Sequence, residues 1–129
     1  MKVEVRSAAA KGRGVFATSA INKGELICLN HVVEIPLDQQ FAVRDMILGS
    51  YVFDWPGPRQ TEKSKKWTSC CVVLGEGSII NHSGNPNSAW CAGKKESAII
   101  FFALRRIEAG EEITHDYCWS KKDLEGFFD

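Results

Sequence analysis

Three stretches of this 129-residue chain carry residue types that do chemistry. The first, KGRGVFA (residues 11–17), sets Gly12 and Gly14 on either side of Arg13, just ahead of an apolar run. Glycines let backbone approach a ligand closely, but a lone Gly-x-Gly lacks the third glycine and following helix of a dinucleotide site. The second, INHSGNPN (80–87), drives an apolar segment into Asn81, His82, Ser83, Asn85 and Asn87, with only Gly84 and Pro86 to mark a turn. A surface turn needs one or two such polar residues; this one has five. The third, GEEITHDY (110–117), ends in an acid and Tyr117. A tyrosine at a strand end is ordinarily a packing residue with its hydroxyl in water. None of the three carries a function alone.

The elements that must position these residues read as a mainly β domain. Val3 and Val5 alternate with charges as on a half-buried strand, VFAT (15–18) follows the glycines, and ELICLNHVVEI (25–35) is long enough for one bent strand or two. SCCVVLG (69–75) and ESAIIFFAL (96–104) are the strongest strand signals, and EEITHDY (111–117) alternates as well. Turn residues separate these pieces at short intervals, the mark of many short strands. LDQQFAVRDMILG (37–49) is the internal helix candidate, with Asp38 as cap, one apolar face through Phe41, Ile47 and Leu48, and Gly49 as its end. WPGPRQTEKSKK (55–66) reads as a loop, and the tail from Trp119 as a short helix or a packed extended strap. INKGELI (21–27) and IEAGEEI (107–113) share the pattern Ile-x-x-Gly-Glu-x-Ile, a repeated tight turn between strands.

The length suffices for one domain with one core. Lysine plus arginine number 16, as do aspartate plus glutamate, so no overall field draws the chain to nucleic acid or to an acidic membrane. No apolar run approaches the ~20 residues of a membrane span, and MKVEVRSAAAKGRG lacks an apolar signal core. Cys28, Cys70, Cys71, Cys91 and Cys118 are odd in number and contain no Cys-x-x-Cys pair. They suggest reduced thiols rather than a disulfide frame or zinc finger. An intracellular place, cytoplasmic or nuclear, is expected.

Together and in this order, the three stretches resemble the SET domain, the fold of one class of protein-lysine methyltransferases. The matching motifs are Gly12-Arg13-Gly14, then Asn81-His82-Ser83-Gly84-Asn85-Pro86-Asn87, then Gly110-Glu111-Glu112-Ile113-Thr114-His115-Asp116-Tyr117. The resemblance covers about residues 3–118. It implies one domain over 1–129: a β-clip-like fold of several short sheets with a C-terminal pseudoknot, one or two short helices, and a tail (119–129) closing the active site. The implied reaction moves a methyl group from S-adenosylmethionine to a lysine of a protein or peptide substrate, a histone among the candidates, without a metal. By the resemblance, Gly12, Arg13, Gly14, Asn81, His82 and Tyr117 contact the cofactor, and Tyr117 supplies the catalytic hydroxyl. Tyr51 and Trp119 are the channel-wall candidates, with core packing as the competing reading. Within 81–87 the functional role falls on Asn81 and the His82 backbone. Ser83, Asn87 and the His82 side chain are expected to bond the buried backbone of the pseudoknot, with His82 as a catalytic base the competing reading. Arg13 points to solvent, cofactor or peptide.

The chain departs from the family in places. Gly84 stands where many members carry a cysteine, and no cysteine follows Cys118, so the family's C-terminal zinc site is not expected. His115 stands where the family usually has an aromatic or aliphatic residue. The chain looks most like small stand-alone viral and bacterial SET proteins, which can form homodimers, so a homodimer with Phe127 and Phe128 near its interface is expected. Gly84 and His115 favour the alternative function, a SET-fold module that binds a peptide or partner with weakened catalysis.

Overall fold

A computed structural model of the chain describes residues 1–55, 69–93 and 95–117. Its strands run, in chain order, β1 (Val3–Ala8), β2 (Gly12–Ala17), β3 (Leu26–Ile35), β4 (Val52–Trp55), β5 (Ser69–Val73), β6 (Asn81–His82), β7 (Ser88–Gly93), β8 (Ala98–Ala103) and β9 (Glu112–His115). They form two sheets, one in the order β1-β2-β9-β6 and one in the order β4-β5-β3-β8-β7. The mainly β expectation holds. The 25–35 stretch is one strand, with a shift in register between Leu26 and Cys28. The sequence reading did not anticipate β4, β6 or β7. The short β6 and the alanine- and glycine-containing β7 offer little periodicity to detect.

The core follows from which runs lie between neighbours. β8 pairs on both edges, with β3 and β7, and its Ile99, Phe101 and Ala103 are fully buried. A short continuous apolar run belongs in such a central strand. The core joins the sheets through Val3, Val15 and Ile113 from one and Ile27, Val73 and Phe101 from the other. Val5, expected on a buried face, is exposed: β1 is an edge strand that pairs only with β2.

The sequence echo has a structural counterpart. Ile21 and Ile107 bridge each other antiparallel through two 2.8 Å hydrogen bonds, Ile21 N–H to Ile107 C=O and the reverse. Both side chains are fully buried. Each turn closes between its second and fifth residues, Glu25 N–H to Asn22 C=O and Glu111 N–H to Glu108 C=O. Gly24 and Gly110 both hold positive φ, 82° and 89°, which glycine adopts without steric cost. The repeated tight turn is therefore also a paired turn, and it seats the residues leading into β9.

The 37–49 helix is not continuous. A 3-10 turn (Leu37–Gln39) leads into α1 (Gln40–Arg44), and a second 3-10 turn follows at Ile47–Ser50. Asp38 makes no capping bond. Met46 is extended, with φ −97° and ψ 164°. The chain doubles back so tightly that a Cβ on Gly49 would lie 2.6 Å from the Arg44 carbonyl oxygen. Five α-helical residues are too few to repeat an apolar stripe; Gln40 is the buried one, while Phe41 and Ile47 are exposed. The expected loop beyond Trp55 and the tail lie outside the described residues.

Candidate active site

The polar run of residues 81–87 lies along β9. β6 pairs with β9 in parallel, Asn81 opposite Thr114 and His82 opposite His115, and Ser83 N–H continues the ladder to the His115 carbonyl at 3.1 Å. Asn87 then closes on the other side of the strand. Its Nδ2 donates to Glu112 C=O (2.8 Å), and its Oδ1 accepts from Thr114 N–H (2.8 Å). Ser88 Oγ donates to Thr114 C=O at 2.7 Å. Asn87 and Ser88 are almost fully buried, and buried backbone must find partners. The structural role expected of Asn87 is borne out. Ser83 differs: its hydroxyl accepts from Asn85 N–H, so its side chain shapes the turn and only its backbone joins β9.

A second corner forms where β2 meets this seam. Asn81 Nδ2 donates to the Arg13 carbonyl (2.9 Å) and to Glu112 Oε2 (2.7 Å), and Lys11 Nζ reaches Glu112 Oε1 at 2.9 Å. Gly14 sits against them. A Cβ there would lie 2.5 Å from Glu112 Oε2 and 2.9 Å from Asn81 Nδ2, so a larger residue would displace those side-chain ends. Burial disfavours the Glu112 carboxylate, yet the bonds from Asn81 and Lys11 outweigh it and hold its pKa below the usual range. The corner presents an amide, a backbone carbonyl and a carboxylate beside a glycine, a donor and acceptor set that suits an amino-acid-like ligand end.

Tyr117 completes the arrangement. Its hydroxyl donates to the Ile80 carbonyl at 3.0 Å, and its N–H donates to His82 Nδ1 at 3.1 Å. Burial raises its pKa, so the phenol keeps its proton. Lys11, Glu112 and Tyr51 all act on it electrostatically, which places it beside the Gly14 corner. Behind it stands His115, 4.7 Å between ring centroids. His115 stacks on Phe53 (5.7 Å, 16°) and meets Phe101 edge-on (5.3 Å). Its buried Nδ1 has no hydrogen-bond partner among the described residues. Burial, with the neighbouring His82, pushes its pKa down to about 4, so it is a neutral flat ring in an aromatic stack.

The structure thus brings Gly14, Asn81, His82 and Tyr117 together, with the Arg13 backbone. Gly12 lies at the start of β2 with φ 82°. The His82 side chain bonds the Tyr117 backbone rather than the pseudoknot interior. Tyr51 is half-exposed at the head of β4; Trp119 lies outside the described residues. The sequence reading missed Lys11, Glu112 and Phe53. Alternation in Val52–Trp55 puts Phe53 and Trp55 on one face of β4 and was the available signal for Phe53. Among the described thiols, burial pushes Cys28 and Cys71 up to about 12 and raises Cys70 and Cys91, which disfavours the reactive thiolate. Among the described residues no three metal-ligating side chains gather into a site, and no helix is long and apolar enough to cross a membrane.

Comparison with known proteins follows the same outline. Residues 12–118 match the family model described as the SET domain. The chain is 28% identical over 116 residues to a Schizosaccharomyces pombe protein named histone-lysine N-methyltransferase, H3 lysine-37 specific, covering 89% of this chain and 72% of that one. It is 32% identical over 123 residues to the Drosophila melanogaster histone-lysine N-methyltransferase Su(var)3-9, covering 87% of this chain but 19% of that protein. Among solved structures, CpSET8 from Cryptosporidium superposes with a TM-score of 0.71 at 24% identity, covering 92% of this chain and 58% of that chain. That likeness speaks to the fold.

Proposed function

The chain belongs to the SET-domain family, and on that premise we propose that it is a protein-lysine N-methyltransferase using S-adenosylmethionine. The observation that carries this is the parallel pairing of β6 with β9, which sets Asn81 and His82 beside the strand that delivers Tyr117. The corner assigned to the cofactor is where Gly14 packs bare against Glu112 and Asn81, with the Arg13 carbonyl bonded to the same amide. Bound there, S-adenosylmethionine supplies a methyl group on a sulfonium for in-line displacement.

The chain's own residues then do the rest. A protonated lysine, with a pKa near 10.4 in water, has no lone pair to attack with. An apolar enclosure disfavours that charged form, and the buried stack of Phe53, Phe101 and His115 behind Tyr117 backs the site with uncharged rings. Because Tyr117 Oη donates to Ile80 C=O, its oxygen lone pairs remain to accept an N–H from the amine. That bond turns the nitrogen lone pair toward the methyl group. Positioning of this kind supplies much of a barrier reduction. Tyr51 is assigned as a further channel wall, and Gly12 and Arg13 as cofactor contacts through their backbone.

The substrate is a lysine-bearing protein, with a histone favoured by the names of the relatives; nuclear work follows in that case. Residues 1–129 are taken as one domain. A homodimer is proposed as well, and light scattering on the intact chain and on one ending at Ser120 tests it. The activity test is transfer of labelled methyl from S-adenosylmethionine to histones and to cell extract, with cofactor binding measured by calorimetry. Label on lysine is expected. Binding without transfer to any protein would favour the peptide-binding alternative; no binding would overturn the cofactor assignment.

A further inference from the structure

Both ends of Tyr117 are fastened to residues 80–82, by different atoms. The hydroxyl donates to Ile80 C=O, and the backbone N–H donates to His82 Nδ1 at 3.1 Å. The second bond fixes the state of the imidazole. A nitrogen that accepts carries no proton, so His82 is the neutral tautomer with its proton on Nε2. Asp116 Oδ1 lies 3.8 Å from the same Nδ1, beyond hydrogen-bond length but within reach of a small ring movement. One nitrogen therefore faces a donor and an acceptor, and it can serve only one of them.

We propose that the His82 imidazole is a positioning residue for Tyr117, and that taking up a proton at Nδ1 releases the Tyr117 backbone by turning that nitrogen into a donor to Asp116. The proton comes from solvent, which reaches the ring: the His82 side chain is 46% exposed. A protonated Nδ1 beside a carboxylate forms the stronger, charge-assisted bond, and two donors cannot face each other. The groups around the pair are few. Asp116 and Tyr117 follow β9, with the Tyr117 ring 5.1 Å from that of His82. His115 on β9 is held neutral in its aromatic stack by burial. Lys11, Glu112 and Tyr51 act electrostatically on Tyr117. The bond itself is independent of any activity; its consequence for turnover rests on the methyltransferase reading.

The test exploits the tyrosine count. The chain holds two tyrosines, so protein labelled with 15N-tyrosine gives two backbone amide resonances, those of Tyr51 and Tyr117. The Tyr117 resonance is expected to move between about pH 8 and 5, the range in which histidines change charge. In His82→Asn, whose Oδ1 replaces Nδ1 as acceptor and cannot take up a proton, that movement is expected to vanish. Methyl transfer is the second readout. His82→Ala is expected to lose about fivefold in kcat, the scale of one net hydrogen bond, with His82→Asn recovering most of it. The ratio of wild type to His82→Asn is expected to fall toward pH 5, since titration of the substrate lysine cancels in it. A Tyr117 amide that ignores pH, or that moves equally in His82→Asn, overturns the proposal. An amide that behaves as expected in a protein that transfers no methyl sustains the bond and overturns the methyltransferase reading instead.

Discussion

Residues 81–88 and residues 37–48 invert the usual relation between polarity and depth. The first stretch is mostly amides and hydroxyls, yet Asn87 and Ser88 are 2% and 1% exposed; the second carries Leu37, Phe41 and Ile47 at 59%, 67% and 84%. The cause lies in where each backbone finds its partners. In 81–88 they come from β9, some thirty residues away, and the side chains of Asn87 and Ser88 make three of those bonds. In 37–48 they are local, such as Asp45 N–H to Phe41 C=O and Gly49 N–H to Met46 C=O, so nothing obliges the segment to bury its apolar side chains. Polar residues go inside when they complete a long-range backbone ladder, and apolar ones are tolerated outside.

That inversion fails if truncating a buried amide costs no more than truncating an exposed apolar residue. Asn87→Ala is expected to cost the most, roughly 3 kcal/mol, because it strands both Glu112 C=O and Thr114 N–H at 1–3 kcal/mol per unsatisfied group. Denaturant unfolding measures it, and a loss below about 1 kcal/mol would show that the seam is looser than its bonds imply.

His115 sharpens the contrast, being polar and buried without a partner. Its pKa lies near 4 in the fold against about 6.5 unfolded. A base depressed in this way contributes stability that is complete above the unfolded value and is lost as pH falls toward the folded one. The wild type should therefore lose roughly 2 kcal/mol more than His115→Phe between pH 7 and pH 4.5. Parallel melting curves for the two proteins across that range would refute the neutral-ring assignment.

Asn81→Ala is expected to cost about 1–2 kcal/mol, since it leaves the Arg13 carbonyl and Glu112 short of a donor. It should also weaken binding of S-adenosylmethionine. Unchanged affinity in calorimetry would remove Asn81 from the cofactor corner. At the small end, Ile47→Ser should change stability by no more than ~0.5 kcal/mol; a larger loss would mean that residues 37–48 are covered.

Much of the fold was legible because its strands announce themselves locally. The β8 run is apolar throughout, and the Ile-x-x-Gly-Glu-x-Ile echo fixes two matched turns, although their pairing with each other is a long-range fact that no local pattern contains. The site was legible at Gly14, Asn81 and Tyr117 through motif order. Glu112 was not, because a glutamate on an alternating strand reads as a solvated charge until Asn81 and Lys11 are seen to converge on it. The helix at 37–49 was misread for a related reason: apolar spacing suggested one buried face, while the close approach of Gly49 to Arg44 breaks the turn. His82 shows the limit most plainly, since its role depends on a bond to a residue 35 positions later.

The central claim is that β6 and β9 converge to aim the Tyr117 hydroxyl at a substrate amine, and Tyr117→Phe tests it most directly. The measurement is turnover with the protein's best substrate, beside circular dichroism and S-adenosylmethionine binding on the same preparation. Retained fold, retained cofactor binding and a loss of turnover on the order of 100-fold are expected. Turnover equal to the wild type's would contradict the assignment of Tyr117 and with it the site built around the seam.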